Sequence, residues 1–178
     1  MNHSHVYPYA VFVHVVGAMA LVAFDGLEWA SLLRLRRISD PAQVPDALAS
    51  FGAGRILIAL SGPVLFLSGL YMTWAAWSWS SSWIVTGVAA MVLLAILGGS
   101  VTGKHVQALM ASGGADLPAR LPPMWASFVT QVAVLVGVIF LMCAKPGLVG
   151  SIVAMVVSLA VGKLLARRSA QPATAPTA

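Results

Sequence analysis

Residues 7–37 read YPYAVFVHVVGAMALVAFDGLEWASLLRLRR, a long apolar run that carries His14, Asp25 and Glu28 inside it and closes on a basic cluster. At about 1.5 Å per residue a helix of this length exceeds a bilayer, so the stretch predicts a transmembrane helix over residues 8–37 whose last two turns emerge into water. The early proline, Pro8, removes only a donor that a helix start leaves unpaired. Ionisable side chains in hydrocarbon are costly and normally face other helices or a wet cavity. On a helical wheel Asp25 lies about 20° from His14, and Glu28 about 40° to the other side. All three share one stripe, with Gly17, Ala18 and Leu21 between them. That pattern marks a polar seam in a multi-pass membrane protein.

The composition agrees. Of 178 residues, 60% are hydrophobic and 8% charged, against roughly 25% charged in soluble domains. A soluble globular fold is excluded, and at about 20 residues per span the chain has room for four or five spans. We expect an all-α polytopic bundle in a single domain, residues 1–168, with no length left for a separate soluble domain. The basic residues behind the net charge of +5 are scattered one or a few at a time between apolar segments, which reads as a topology signal and not as a nucleic-acid surface. Cys143 stands alone, so neither an internal disulfide nor a CxxC redox pair is available. The start lacks a basic n-region and a small-residue cleavage site, and the first helix is expected to be retained.

Four further helices follow. The segment ISDPAQVPDA is a polar connection with two prolines. Helix 2 is expected over residues 53–74, with Arg55 at its start and Ser61, Gly62 and Pro63 bending its middle. In the WAAWSWSSSW connection and around it, Trp74, Trp77, Trp79 and Trp83 join Tyr7, Tyr9 and Tyr71 in an aromatic belt at one interface, with Trp29 and Trp125 at the other. Helix 3, residues 83–110, places Gly99 and Gly103 on a small-residue contact face and ends in Lys104 and His105. The glycine- and proline-rich SGGADLPARLPP needs no regular structure. Helix 4, residues 123–144, carries Thr130 and Gln131 inside. Helix 5, residues 148–166, repeats small residues at Gly150, Ala154, Ser158 and Gly162, a strip that admits another helix closely and makes a homodimer reasonable. Residues 169–178 read as a disordered tail. Basic residues flank the first loop, the third loop and the tail, and only Lys145 lies opposite, which predicts the N-terminus outside and the C-terminus in the cytoplasm. If helix 5 lay along the interface the spans would number four.

The seam's chemistry has two readings beside simple exposure of the carboxylates at the headgroups. Arg55 enters at the depth of Asp25 and Glu28, and an ion pair there compensates for burying charge and fixes helices 1 and 2. The same carboxylates with Gln131 or Thr130 could instead serve a proton or ion path. His14 lies about 9 Å and His105 about 33 Å below the outer surface, so the two cannot share one haem or metal within a monomer. His14 with a methionine, or His14 from two copies, remains open as a ligand set. Met1-Asn2-His3 offers four nitrogens for square-planar copper or nickel, with His5 in support. No phosphate-cradling glycine loop, HExxH pair or nucleophile elbow is present, so no catalytic residue is assigned.

VFVHVVGAMALVAFDGLEWASLLRLRR, the DP-containing loop after it and the KPG after helix 4 resemble a group of uncharacterised bacterial inner-membrane proteins, over about four helices. VHVVGA is also similar to the first helix of CopD-like copper-resistance membrane domains, over little more than one. The resemblance implies a bacterial inner membrane, with copper as ligand and His14 as the residue that meets it. Three functions follow from the sequence. The first is a structural or accessory membrane protein in the lipid bilayer, with a homodimer or membrane-complex partner and no nucleic acid. The second is a copper or haem handling protein using His14 or His3. The third is a small proton-coupled carrier using Asp25 and Glu28.

Overall fold

The computed structural model describes residues 5–38 and 40–170. Among them five helical spans are long and apolar enough to cross a membrane, and there is no strand. α1 is Tyr7–Arg37, α2 is Val44–Ala76, α5 is Leu117–Ala144 and α6 is Leu148–Ala170. The third span runs from Ser82 to Ala111 in three pieces: α3 (Ser82–Ile96), a π turn over Leu97–Thr102, and α4 (Gly103–Ala111).

Two helices begin earlier than the sequence suggests. The expected start of helix 2 at residue 53 moves back to Val44, after a single 3-10 turn at Pro41–Gln43. Pro45 sits in the first turn, where it displaces no helical hydrogen bond, and Asp46 there is favoured by the helix dipole. Val44, Ala47, Leu48 and Phe51 then bury against Leu32 and Leu35 of α1, and that contact is what favours the extra turns. Arg55 consequently lies three turns inside α2 and not at its start. Likewise α5 begins at Leu117 and not at 123, takes Pro118 in its first turn and carries Pro122 and Pro123 within it. An Arg120–Asp116 ion pair at 3.3 Å supports its first turn, while Met124, Trp125 and Phe128 anchor it in the core. α6 continues four residues past the expected end at 166, through the first two residues of the expected tail. Residues 171–178 lie outside the described residues.

α1 and α2 pack along their length as one hairpin, α5 and α6 as another, and the third span leans on α5 and α6 while touching α2 only slightly. At the basic end α1, α2, α4 and α5 meet in one core of Leu32, Leu35, Phe51, Leu109, Met124 and Phe128. A second core joins α3, α5 and α6 through Ala90, Val134, Val138, Leu141 and Met155. A third, smaller cluster of Leu21, Leu65 and Leu135 joins the two hairpins further along.

The small-residue strip of α6 is used within the chain. A Cβ on Gly162 would lie 3.0 Å from Ala133 Cβ and 3.0 Å from Thr130 Cα, and Ser158 stands against Gly137 of α5. The helix that Ser158 and Gly162 admit is α5. At the start of the strip, Gly150 is exposed. Ala154 packs on the α3–α5–α6 core.

Aromatic clusters mark both ends. Trp29 and Trp125 meet tilted at 47° with ring centroids 5.0 Å apart, and the Arg36 guanidinium sits 4.6 Å over Trp125. At the opposite end Trp77 meets Trp83 edge-on at 5.2 Å, and its indole N–H donates to the Tyr7 hydroxyl. Lys145, in the left-handed conformation that ends α5 (φ 47°), lays its ammonium 4.5 Å over the Trp77 ring.

Candidate functional site

Because the third span leans away from α2, a cavity of about 560 Å³ opens between the hairpins. Leu21, Phe66, Met91 and Leu135 contribute to its apolar walls, and Asp25, Glu28, Arg55 and Gln131 are its polar side chains. All four come from the middle turns of membrane-spanning helices.

Glu28 is the most deeply set, with 2% of its side chain exposed, and Arg55 Nη1 donates to its Oε1 at 3.3 Å. Burying such a pair costs desolvation, which it recovers only when the remaining donors find acceptors. Arg55 meets that condition: its Nη2 donates to the carbonyl oxygen of Gly98. That oxygen also accepts from Gly103 N–H across the π turn. A π turn holds one residue more per turn than an α-helix and recurs at functional sites; here it offers a carbonyl to the guanidinium. The sequence reading of Gly99 and Gly103 as a helix contact face is corrected by this geometry. No atom lies within 4 Å of where a Cβ on Gly99 would sit. Gly103 meets Arg55, not a neighbouring helix's backbone: a Cβ there would be 3.7 Å from Nη2.

Gln131 ties α5 to the same turn. Its Nε2 donates to Thr102 Oγ1 at 3.1 Å and to Ser127 Oγ at 3.2 Å, and Thr102 donates to Ser127 at 2.9 Å. Its Oε1 is aimed at Gly98, 3.1 Å from where a Cβ would stand. Thr130, the other polar residue expected on this helix, turns back to Ala126 O at 2.8 Å and takes no part in the cavity. Thr102 and Ser127 were not singled out in the sequence. Their only signal there is a hydroxyl one turn from a glycine run and another four residues before a glutamine.

Asp25 differs from Glu28. It is half-buried, lines the cavity, and among the described residues has no hydrogen-bond or ion-pair partner. Its nearest charged neighbour on α1 is another carboxylate. Across the cavity Pro63 has no N–H to offer the Ala59 carbonyl, so the wall of α2 is weakened in hydrogen bonding where both residues line the space.

His14 lies on the same stripe of α1 but not in the cavity. Its Nδ1 is 3.0 Å from Leu65 O and 3.2 Å from Ser68 Oγ, and the ring presses on Gly69, where a Cβ would approach Cε1 to 3.1 Å. It is a hydrogen-bonded strut between α1 and α2. No group of three or more His, Cys, Asp or Glu side chains able to hold a metal exists among the described residues. His105 belongs to α4 at the far end of the third span, and its Nδ1 is buried without a partner. His3 and the Met1-Asn2-His3 ligand set lie outside the described residues. No protein-family model, curated protein or solved structure matches the chain.

Proposed function

We propose that this integral membrane protein is a small proton-coupled carrier in which Asp25 exchanges the proton. The observation that carries the reading is an unpaired carboxylate lining a cavity inside a bundle of five spanning helices. A carboxylate kept only for assembly would be paired or hydrogen-bonded, as Glu28 is. Asp25 is left facing space large enough for water and a solute. The Glu28–Arg55–Gly98 link holds α1, α2 and the π turn around that space, which gives Arg55 and Glu28 a positioning role and Asp25 the exchange. The basic residues gather at the end where α1 meets the start of α2. The excess of Lys and Arg favours that end as cytoplasmic in an inner-membrane setting, with the tryptophan–Lys145 end outside.

The test needs no solute. Proteoliposomes loaded with a pH-sensitive dye are given a pH jump, and proton movement is followed with time. The carrier reading expects movement above that of empty liposomes, abolished in Asp25→Asn, an isosteric change that leaves the fold intact. Equal movement in the wild type and Asp25→Asn, or none above empty liposomes in either, overturns it and leaves a scaffold held by the Glu28–Arg55 pair.

A further inference from the structure

We propose that the cavity binds an amphipathic monovalent cation, a protonated amine or quaternary onium group on an apolar body, which enters from the lipid between α2 and α3. This rests on the carrier reading above and names the class of its solute.

The size, lining, charge and entrance of the cavity each narrow the choice. Its volume of about 560 Å³ falls in the range of about 300–1,000 Å³ typical of small-molecule pockets. Apart from four polar side chains, the lining is aliphatic, aromatic, glycine or proline. A sugar or a zwitterion would leave most of its hydrogen-bonding groups unmet there, at a cost an apolar body does not incur. The Glu28 charge is offset by Arg55 at 3.3 Å, while Asp25 has no counter-ion. With these groups ionised, the cavity carries one uncompensated negative charge, which attracts a cation and repels an anion. Phe66 in the wall supplies an aromatic side chain, a further partner for an onium group.

The entrance follows from residues that both line the cavity and lie exposed on the outside of the bundle. On α2 these are Ala59, Pro63 and Leu67, one per turn; on the facing span they are Val92, Ala95 and Gly99. Both stripes fall in the middle of spanning helices, and none of the six has a polar side chain. The gap they leave therefore opens to hydrocarbon and not to water. A solute that comes this way must first partition into lipid, which a compact, strongly hydrated cation does not do and an onium ion shielded by apolar groups does. Proton and cation then compete for one carboxylate. The other charged groups on the cavity are Glu28, beside Asp25 on α1, and Arg55 from α2, while α5 contributes the neutral Gln131.

Equilibrium binding of radiolabelled tetraphenylphosphonium to the full chain in detergent tests this. The probe has no proton of its own, so its binding reports charge and shape alone. One saturable site per chain is expected, weakened as pH falls, and weakened on the order of ten- to a hundredfold in Asp25→Asn by loss of the counter-ion. Tetraphenylborate, of the same shape and opposite charge, is expected not to compete. Gly62→Phe provides a second variant: Gly62 lines the cavity and no atom lies within 4 Å of an added Cβ there. A phenyl group at that position is expected to fill the space without disturbing the helix and to remove binding. Equal affinity in Asp25→Asn, competition by tetraphenylborate, or full binding in Gly62→Phe overturns the proposal. A folded wild type that moves protons but binds no tetraphenylphosphonium overturns the solute class alone. Saturable binding without proton movement overturns the carrier reading and leaves the site.

Discussion

Glu28 and Arg55 show what one residue's loss does to the other. Glu28 is 2% exposed and its one ion-pair partner is Arg55, so Arg55→Met strands a buried carboxylate. Removing one member of a buried pair costs about 3–5 kcal/mol, and the lower figure applies here because the Arg55 side chain keeps 23% of its exposure. We expect Arg55→Met to lower the thermal midpoint in detergent clearly, and Arg55→Met combined with Glu28→Gln to recover most of the loss. A double variant no more stable than the single one would show that the cost lies in the bond to Gly98 and not in the orphaned charge. The pairing of these residues was legible in the sequence, since depth, opposite charge and the price of a lone charge in hydrocarbon together leave few options. The separate status of Asp25 was not. Three residues from Glu28 and on the same stripe, it differs only because the packing of the third span gives it no partner, and that is not a local property.

At the scale of elements, small residues have opposite meanings in two helices. In α6 they recur every fourth residue and close against α5, and the geometry predicts that Gly162→Ala is costly. The new Cβ would meet a backbone Cα at 3.0 Å, which cannot swing aside, and forced contacts of this kind cost about 1–3 kcal/mol. In the π turn Gly99 touches nothing: Gly99→Ala meets no atom within 4 Å and is expected to be neutral or slightly stabilising. Thermal midpoints of the two variants in one detergent check both statements. Equal midpoints for Gly162→Ala and the wild type would mean that α5 and α6 are not in this contact. The four-residue spacing in α6 was visible in the sequence, but its partner was not, because a small strip fits any neighbour. The π turn was hidden altogether: GGSVTG is compatible with an ordinary helix, and what distinguishes it is the Arg55 guanidinium arriving from α2 to claim the Gly98 carbonyl. The early starts of α2 and α5 were masked by prolines, which read as breaks although each first-turn proline is compatible with a helix.

At the scale of the whole molecule, the five spans were legible because a spanning segment is a property of composition over about twenty residues. The cavity was not, because it exists only through an imbalance of packing. The two hairpins are tight, the third span belongs to one of them, and the space left on the other side is where Asp25 stands. The proposed carrier requires this carboxylate to take up and release a proton within the cavity. Infrared difference spectroscopy of proteoliposomes during a pH titration tests it most directly, by following the carbonyl stretch of a protonated carboxylic acid. The account predicts a band that grows as the medium is acidified, vanishes in Asp25→Asn and survives in Glu28→Gln. A titrating band that persists in Asp25→Asn, or no titrating band in the wild type, would contradict it.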